Sequence, residues 1–207
     1  MSLSYLQRGE GEDLVFLHGY LSSKESFLSQ IDYFSRYYRV TAPDFPGMGG
    51  ANALESAWSV DDYADWTANA LHELGVHHAR VVAHSFGGRV AVKLLSRGEI
   101  FDRAVLTGCA GIIPKRTLRY KFRVRLYRMV KKIAPRFAER HFGSSEYRTL
   151  SPIMKESDKK IVNEDLRETA KGITCPVLFC TAKRTARCLF PPFKSISPAY
   201  RGRGSRL

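Results

Sequence analysis

The chain has 207 residues, of which 44% are hydrophobic and 12% aromatic, so it is long and apolar enough for one folded domain and is not a disordered chain. A net charge of +13 is typical of proteins that bind nucleic acid or anionic membranes. No stretch approaches the ~20 consecutive apolar residues of a membrane span, and the first residues do not form a signal-peptide pattern. The four cysteines lack metal-ligand spacing, so we expect a reduced, cytoplasmic protein.

The positive charge is concentrated in two segments. Residues 115–140 hold 11 basic residues and one acid, a net charge of +10. Residues 182–207 hold seven basic residues and no acid, a net charge of +7. Subtracting both from +13 leaves −4 for the rest of the chain, so each basic segment needs an explanation of its own.

Short apolar runs alternate with helix-length segments along the chain. The apolar runs predict buried strands at 14–17, 38–42, 79–83, 104–106 and 176–180. Helices are predicted between them at 22–35, 59–75 and 87–97. The second of these begins at Ser59, a residue suited to the N-cap, with Asp61 and Asp62 in its first turn. The alternation predicts a mostly parallel, doubly wound sheet covered by helices on both faces.

An insertion over 112–172 interrupts this alternation. Apolar residues at helical spacing over 118–133 predict an amphipathic helix that carries the first basic segment, and Pro135 should end or kink it. A second helix is predicted over 153–168. Three uses of the basic helix stay open, in order of preference: a solvated face, attachment to an anionic membrane surface, and docking to anionic substrates or nucleic acid.

A serine lies where a predicted strand runs into a predicted helix, in the sequence Ala-His-Ser-Phe-Gly-Gly over 83–88. Small residues two positions before and after it allow the tight turn of a nucleophile elbow, which would hold the Ser85 hydroxyl above the sheet edge. The N–H of Phe86, at the helix start, would then point at a developing oxyanion. A serine–glycine helix start without chemistry is the alternative, since alanine replaces the first glycine of the usual Gly-x-Ser-x-Gly pattern.

Two further motifs accompany the serine. Phe-Leu-His-Gly-Tyr over 16–20 ends an earlier strand, and Asp-Phe-Pro-Gly-Met-Gly-Gly over 44–50 follows the next one. In this order and spacing the three motifs resemble the α/β-hydrolase superfamily over about residues 3–181, in particular its single-domain serine hydrolases with a helical cap. The resemblance implies a hydrolase core at 1–111 with 173–181 and a helical cap at 112–172. The segment at 182–207 has no periodicity and no acids, so we expect an irregular basic tail there.

The resemblance also assigns roles to individual positions. Ser85 would be the nucleophile, and the backbone N–H groups of Tyr20 and Phe86 would form the oxyanion hole. Gly19, Tyr20 and Phe86 would contact the substrate, with the two aromatic side chains shaping the acyl pocket. A serine nucleophile argues against the branches that use aspartate there, the haloalkane dehalogenases and epoxide hydrolases. The implied partner is a small-molecule ester, related acyl or carbon–carbon bond substrate, without nucleic acid, metal or cofactor.

The histidines and the aspartate of the third motif have structural interpretations. His84 should point to the face opposite the serine and be a packed histidine rather than the base. His18 should hold the oxyanion loop by hydrogen bonds, and Asp44 should stabilise a turn. The remaining histidines are expected away from the nucleophile, on the far side of the elbow strand for His72, His77 and His78 and on the cap surface for His141.

A serine nucleophile needs a base and an acid that orients the base. The superfamily order of Ser, acid and His places both after the strand at 176–180. Residues 169–207 contain no Asp, Glu or His, and the last strand and helix of the fold are also missing. We therefore expect an impaired hydrolase with an exposed, aggregation-prone strand edge. The alternative is a non-catalytic, ligand-binding or degenerate member of the superfamily.

The basic tail has two interpretations, a natural segment for anionic partners or an out-of-frame translation from about Thr181. Reading the codons of Cys180–Leu189 one base early permits Gly-Glu-Lys-Asp, which resembles the superfamily's acid loop. We favour the frameshift hypothesis. Sequencing the gene over 178–207 tests it, and the hypothesis fails if no one-base shift yields such a loop and a later histidine.

Overall fold

The computed structural model describes residues 3–109, 111, 122, 125 and 149–180. Phe122 and Arg125 are helical and exposed. The other predictions for 112–148, including the effect of Pro135 and the place of His141, lie outside the described residues. The same is true of the basic tail at 182–207.

Six described strands form one sheet in the order β1-β3-β2-β4-β5-β6. The strands are Tyr5–Arg8 (β1), Asp13–Leu17 (β2), Arg39–Pro43 (β3), Ala79–His84 (β4), Phe101–Thr107 (β5) and Val177–Cys180 (β6). β1 pairs antiparallel with β3, and the other four pairings are parallel. The prediction of a mostly parallel sheet is confirmed, and β1 is a strand that the sequence did not predict.

Helices connect the parallel strands as the alternation predicts. They are Leu28–Phe34 (α1), Val60–Glu73 (α2), Phe86–Arg97 (α3), Pro152–Asn163 (α4) and Arg167–Lys171 (α5), with a 3-10 turn at Lys24–Phe27 before α1. Ser59 forms a capping box with Asp62 at the start of α2, as its residue type suggests. The single helix predicted over 153–168 is two helices, because the backbone becomes extended at Glu164.

Hydrophobic clusters cover both faces of the sheet. Along β2, Val15 and Leu17 belong to the larger cluster, which contains buried residues of α2, α3, α4 and α5. Leu14 and Phe16 point the other way into a smaller cluster that includes Ile31 of α1. This alternation is what a strand buried on both faces requires.

α4 is fixed to the rest of the domain by hydrogen bonds as well as by apolar packing. The Trp58 N–H donates to Ser157 Oγ at 2.9 Å. Arg89 of α3, which is buried, donates to the carbonyl oxygens of Ile161 at 2.8 Å and Glu164 at 3.2 Å. The guanidinium thereby binds the carbonyls that the end of α4 leaves unpaired. The boundaries of core, cap and tail remain predictions.

β6 lies at the edge of the described sheet. It pairs with β5 from Ala104↔Val177 to Thr107↔Cys180, and β5 pairs on its other side with β4. None of the four β6 residues is buried, and Leu178 is 53% exposed. Within the described residues, this agrees with the expectation that the 176–180 strand forms an edge. None of the helices described here is long and apolar enough to cross a bilayer.

Candidate active site

Ser85 occupies a strained turn between β4 and α3. Its backbone has φ 50° and ψ −106°, a conformation that is costly for a residue other than glycine. The Ser85 N–H donates to the Thr107 carbonyl at 2.9 Å, so the end of β5 holds the turn in place. The half-buried serine therefore sits at the carboxyl edge of the sheet, in the strand–turn–helix setting that the motif predicts.

Glycine at position 87 lets the start of α3 approach the end of β2. A Cβ at Gly87 would lie 2.3 Å from the Leu17 carbonyl oxygen and 2.7 Å from that of His18. The Gly87 N–H also donates to the His18 carbonyl at 3.0 Å. A side chain here would push the helix away and displace the turn that carries Ser85.

The loop after β2 lies beside the serine. A Cβ on Gly19 would be 3.7 Å from the Ser85 Cβ, so the loop backbone passes close to the nucleophile position. The Tyr20 hydroxyl donates to the Met154 carbonyl of α4 at 3.0 Å. Leu21 has φ 55°, a second left-handed residue that is not glycine. The structure thus brings Gly19 and Tyr20 to the same edge as Ser85.

The Phe86 ring lies inside an aromatic cluster at the start of α3. It contacts Phe45, Tyr63 and Tyr20 edge-on, with ring centroids 5.2, 4.9 and 5.5 Å away. Only 3% of Phe86 is exposed, so its ring belongs to the core and reaches the loop through Tyr20. That these two rings shape an acyl pocket stays a prediction, as do the oxyanion roles of their N–H groups.

His18 is a buried hydrogen-bonding residue, as predicted. The Phe45 N–H donates to His18 Nε2 at 3.1 Å, which places the ring proton on Nδ1. Nδ1 then donates to the Gly19 carbonyl at 2.8 Å. Burial lowers the pKa of His18, although the Gly19 hydrogen bond and the Asp44 charge act in the opposite direction. His18 is thus a neutral support for the loop.

Asp44 is a buried turn residue, also as predicted. Its carboxylate accepts hydrogen bonds from the Lys24 N–H at 2.7 Å and Nζ at 2.6 Å, and from Ser4 Oγ and the Gly50 N–H, both at 2.8 Å. Burial acts to raise the pKa of Asp44, but the hydrogen bonds from Lys24, Gly50 and Ser4 outweigh it and the pKa is lowered. Asp44 is therefore committed to structure rather than to a catalytic triad.

His84 is exposed, and the expectation of a packed histidine is wrong in this respect. Its Nδ1 lies 3.0 Å from Thr107 Oγ1. His84 is the last residue of β4, flanked by glycines on the neighbouring strand ends. A Cβ on Gly19 would lie 3.3 Å from its ring, and one on Gly108 would lie 3.2 Å away. The ring therefore lies at the carboxyl end of the sheet, between the loops that follow β2 and β5.

Three other histidines lie at the opposite edge of the sheet, as predicted. His77 and His78 directly precede β4, whereas Ser85 follows it. The His72 and His77 rings are 4.7 Å apart, and His78 Nε2 lies 3.9 Å from Asp102 Oδ2. These side chains are a strand length away from the serine and take no part in its site.

Two clefts in the described surface lie away from Ser85. One is lined mainly by the segment after the Asp44 turn, with Pro46, residues 51–56, Trp58 and Trp66. The other lies at the amino edge of the sheet beside His78, Arg80 and Asp102. Neither contains a residue of the serine motif, so neither is assigned as the acyl site. Within residues 3–109 and 149–180, no three His, Cys, Asp or Glu side chains converge as a metal site.

Two contacts that support the site were not predicted. The Tyr20 hydroxyl reaches α4 across 134 positions of sequence, and Arg89 binds the end of the same helix. Both depend on how the segment at 152–163 folds back onto the sheet. No spacing rule links residues so far apart, and the sequence carries no local signal for either contact.

The known proteins most similar in sequence include several hydrolases. Over 106 residues the chain is 35% identical to the (E)-2-((N-methylformamido)methylene)succinate hydrolase of Acinetobacter baylyi. It is 33% identical over 91 residues to the dihydrolipoyllysine-residue acetyltransferase component of the acetoin cleaving system of Cupriavidus necator. These matches cover 50% and 44% of this chain but only 40% and 24% of the two relatives, so they extend over less than half of either relative.

Solved structures show the same fold at low sequence identity. E-2-(acetamidomethylene)succinate hydrolase superposes with a TM-score of 0.64 at 23% identity, over 86% of this chain and 75% of that one. The enol-lactonase of Burkholderia xenovorans gives 0.61 at 21% identity, over 86% and 76%. The model of the alpha/beta hydrolase fold family matches residues 14–186, which is most of the sequence. The chain belongs to the α/β-hydrolase fold family.

Proposed function

We propose that this chain is a serine hydrolase in which Ser85 attacks an ester or a related acyl substrate. The observation that carries the proposal is the strained backbone of Ser85, which has φ 50°. The helix that follows it approaches β2 so closely that position 87 must be glycine. A folded protein keeps such strain only where the surrounding structure enforces it, and such positions cluster at active sites. A plain helix start would not need it.

The proposed reaction is acyl transfer through a covalent intermediate. The Ser85 oxygen bonds to the substrate carbonyl carbon, the leaving group departs, and water then hydrolyses the acyl-enzyme. The N–H groups of Tyr20 and Phe86 stabilise the oxyanion that forms in each step. The closeness of Gly19 to Ser85 supports this, because it brings the loop backbone to the serine.

The relatives support a small-molecule substrate. Two of them are hydrolases of substituted methylenesuccinates and one solved neighbour is an enol-lactonase. We extend from them only the class, an ester, related acyl or carbon–carbon bond substrate. A cytoplasmic location is proposed with it, in keeping with the reduced thiols of Cys175 and Cys180.

We expect slow turnover from this polypeptide. Its residues 169–207 contain no Asp, Glu or His to supply the triad partners in the superfamily order. Enzymes that lose triad members keep about 10³–10⁴-fold acceleration over water, from the oxyanion hole and substrate binding. A ligand-binding protein without turnover is the second candidate, and the composition of residues 169–207 favours it.

A fluorophosphonate probe tests the nucleophile. We expect the purified chain to be labelled on Ser85, with the labelled peptide identified by mass spectrometry. Ser85→Ala should abolish labelling, whereas Ser96→Ala, at the other end of α3, should not change it. Labelling that persists in Ser85→Ala would overturn the proposal. Labelling only of a version with its reading frame restored after residue 180 would favour the frameshift hypothesis and the non-catalytic alternative for this chain.

A further inference from the structure

We propose that His84 is the general base that removes the proton from Ser85 in this chain. The inference rests on the proposed function, since it requires Ser85 to be the nucleophile. It replaces the packed role expected for His84 with a catalytic one. The structural basis is an exposed imidazole, held by Thr107, on the same sheet edge as the serine.

Among the five histidines in the described part of the chain, only His84 combines a position on the sheet edge of the serine with an exposed ring. Those at 72, 77 and 78 lie at the opposite edge of the sheet. His18 lies on the serine's edge, but it is buried and both its ring nitrogens are engaged, with Gly19 and Phe45. The sixth histidine, His141, lies outside the described residues and is the rival candidate for the base.

Thr107 fixes both His84 and Ser85. Its carbonyl accepts the Ser85 N–H at 2.9 Å. Its hydroxyl donates to the Ala83 carbonyl at 3.4 Å, which leaves Oγ1 to accept a hydrogen bond from His84 Nδ1 at 3.0 Å. This arrangement places the ring proton on Nδ1 and leaves the Nε2 lone pair to accept a proton. A third group that orients the base in this way is the usual companion of a serine nucleophile.

The elbow turn explains how adjacent residues can serve one site. In a regular strand His84 and Ser85 would point to opposite faces, but φ 50° at Ser85 breaks the alternation. Both side chains lie near one point, the position of a Cβ on Gly19, with His84 Cδ2 3.3 Å and Ser85 Cβ 3.7 Å from it. The two side chains therefore border the same side of the Gly19 loop, from which the His84 ring can reach the Ser85 hydroxyl by a rotamer change or through one water.

The step can be followed with the fluorophosphonate probe. The Ser85 oxygen forms a bond to phosphorus, the phosphorus–fluorine bond breaks, and fluoride leaves. The hydroxyl proton passes to His84 Nε2 and from there to solvent. No oxidant, reductant or metal is needed, and the rate of labelling reports on the base.

The primary test is the labelling rate of His84→Asn. An Asn side chain places an amide nitrogen near the position of Nδ1, so it can keep the Thr107 hydrogen bond while removing the base. We expect labelling to slow by about 100-fold, the lower range of a general base contribution. His84→Ala should slow it similarly, and free imidazole in the buffer should restore the rate of His84→Ala. His77→Asn, at the opposite edge, is the matched control and should label at the original rate.

The outcomes separate this inference from the proposed function. Unchanged labelling in His84→Asn, with labelling still lost in Ser85→Ala, overturns the inference alone. Labelling that survives in His84→Asn but is lost in His141→Asn also overturns it. No Ser85 labelling of the original chain overturns both together. A lower rate in His84→Asn with an unchanged urea unfolding midpoint, together with imidazole rescue, supports the base, because a merely structural role would not respond to imidazole.

Discussion

Asp44 shows at the scale of single residues how a buried charge stabilises the loop that carries the site. Its side chain is fully buried and the Lys24 ammonium, also largely buried, lies 2.6 Å away. We expect Asp44→Asn to lower the free energy of unfolding at neutral pH by about 3 kcal/mol, because only Glu25, at 2.9 Å, would then compensate the charge of the largely buried Lys24 ammonium. Urea unfolding monitored by circular dichroism measures this loss.

The pH dependence of that loss follows from the lowered pKa of Asp44. A lowered pKa in the folded state means that the carboxylate stabilises the fold above its ordinary value of 3.8. This stabilisation disappears as the pH falls from 3.8 through the lowered folded pKa. The gap between the original chain and Asp44→Asn should therefore narrow in that acid range. Asp65→Asn, which removes a surface ion pair with Arg97, should change stability by less than about 1 kcal/mol. A difference in unfolding free energy between the original chain and Asp44→Asn that is constant with pH would contradict a lowered pKa for Asp44.

Tyr20 gives a second prediction at the residue scale. Its hydroxyl ties the loop beside Ser85 to the Met154 carbonyl of α4. We expect Tyr20→Phe to slow fluorophosphonate labelling several-fold while keeping the ring contact with Phe86, because the loop loses its tether. Tyr63→Phe is the matched control, since it removes a similar phenol hydrogen bond, to the Pro46 carbonyl at 3.2 Å, away from that loop. Equal labelling rates in the two variants would contradict a positioning role.

The residues of the three motifs were predictable because their roles are local. His18 binds the Gly19 carbonyl, and Asp44 accepts a hydrogen bond from the Gly50 N–H. Each of these contacts lies within one motif, so the motifs in the sequence indicate them. His84 was not predictable. The alternation of side chains along a strand predicted a packed ring for His84, whereas the ring is exposed. The alternation fails here because the next residue, Ser85, has φ 50°.

At the scale of elements, the exposed edge of β6 is the feature with the clearest consequence. Leu178 is 53% exposed on a strand that ends the described sheet. Exposed apolar edges promote pairing between molecules, and a lysine on such an edge opposes it. We expect Leu178→Lys to raise the fraction of soluble protein after expression and to slow aggregation, measured by light scattering.

A helix position of equal exposure provides the control for the edge. Val162 of α4 is also 53% exposed, but its backbone belongs to a helix rather than to a strand edge. Val162→Lys adds the same charge and removes a similar apolar side chain, so it should leave aggregation nearly unchanged. Equal improvement in both variants would show that charge alone, rather than the edge, governs solubility.

Most elements were predictable from the period of the apolar residues. The buried parallel strands appear in the sequence as short apolar runs, and Ser59 marks the start of α2 as its N-cap. β1 has no such signal, because it has four residues, three of them exposed, and is held by pairing with β3. The break between α4 and α5 was missed because the buried Arg89, from a distant part of the chain, binds the carbonyls at that break.

At the scale of the whole molecule, the charge distribution affects how the protein binds to anionic membrane surfaces. The sequence places +10 in residues 115–140 and +7 in residues 182–207, against −4 elsewhere. We expect any sedimentation with phosphatidylserine vesicles at low salt to disappear near 0.15 M salt, where the screening length is about 8 Å. Phosphatidylcholine vesicles are the control. Binding that survives this salt would contradict a solvated basic face and favour insertion of the aromatic residues.

The hydrogen bond between Trp58 and Ser157 gives the protein an optical probe of its own. The sequence has two tryptophans, and both pack against the larger cluster, with Trp58 5.1 Å from Tyr63 and Trp66 6.4 Å from Phe45. Indole emission moves to longer wavelength when water reaches the ring, so detachment of α4 would shift the spectrum through Trp58. Loosening of the smaller cluster around α1 would leave the emission unchanged, and fluorescence therefore distinguishes which face of the sheet opens first.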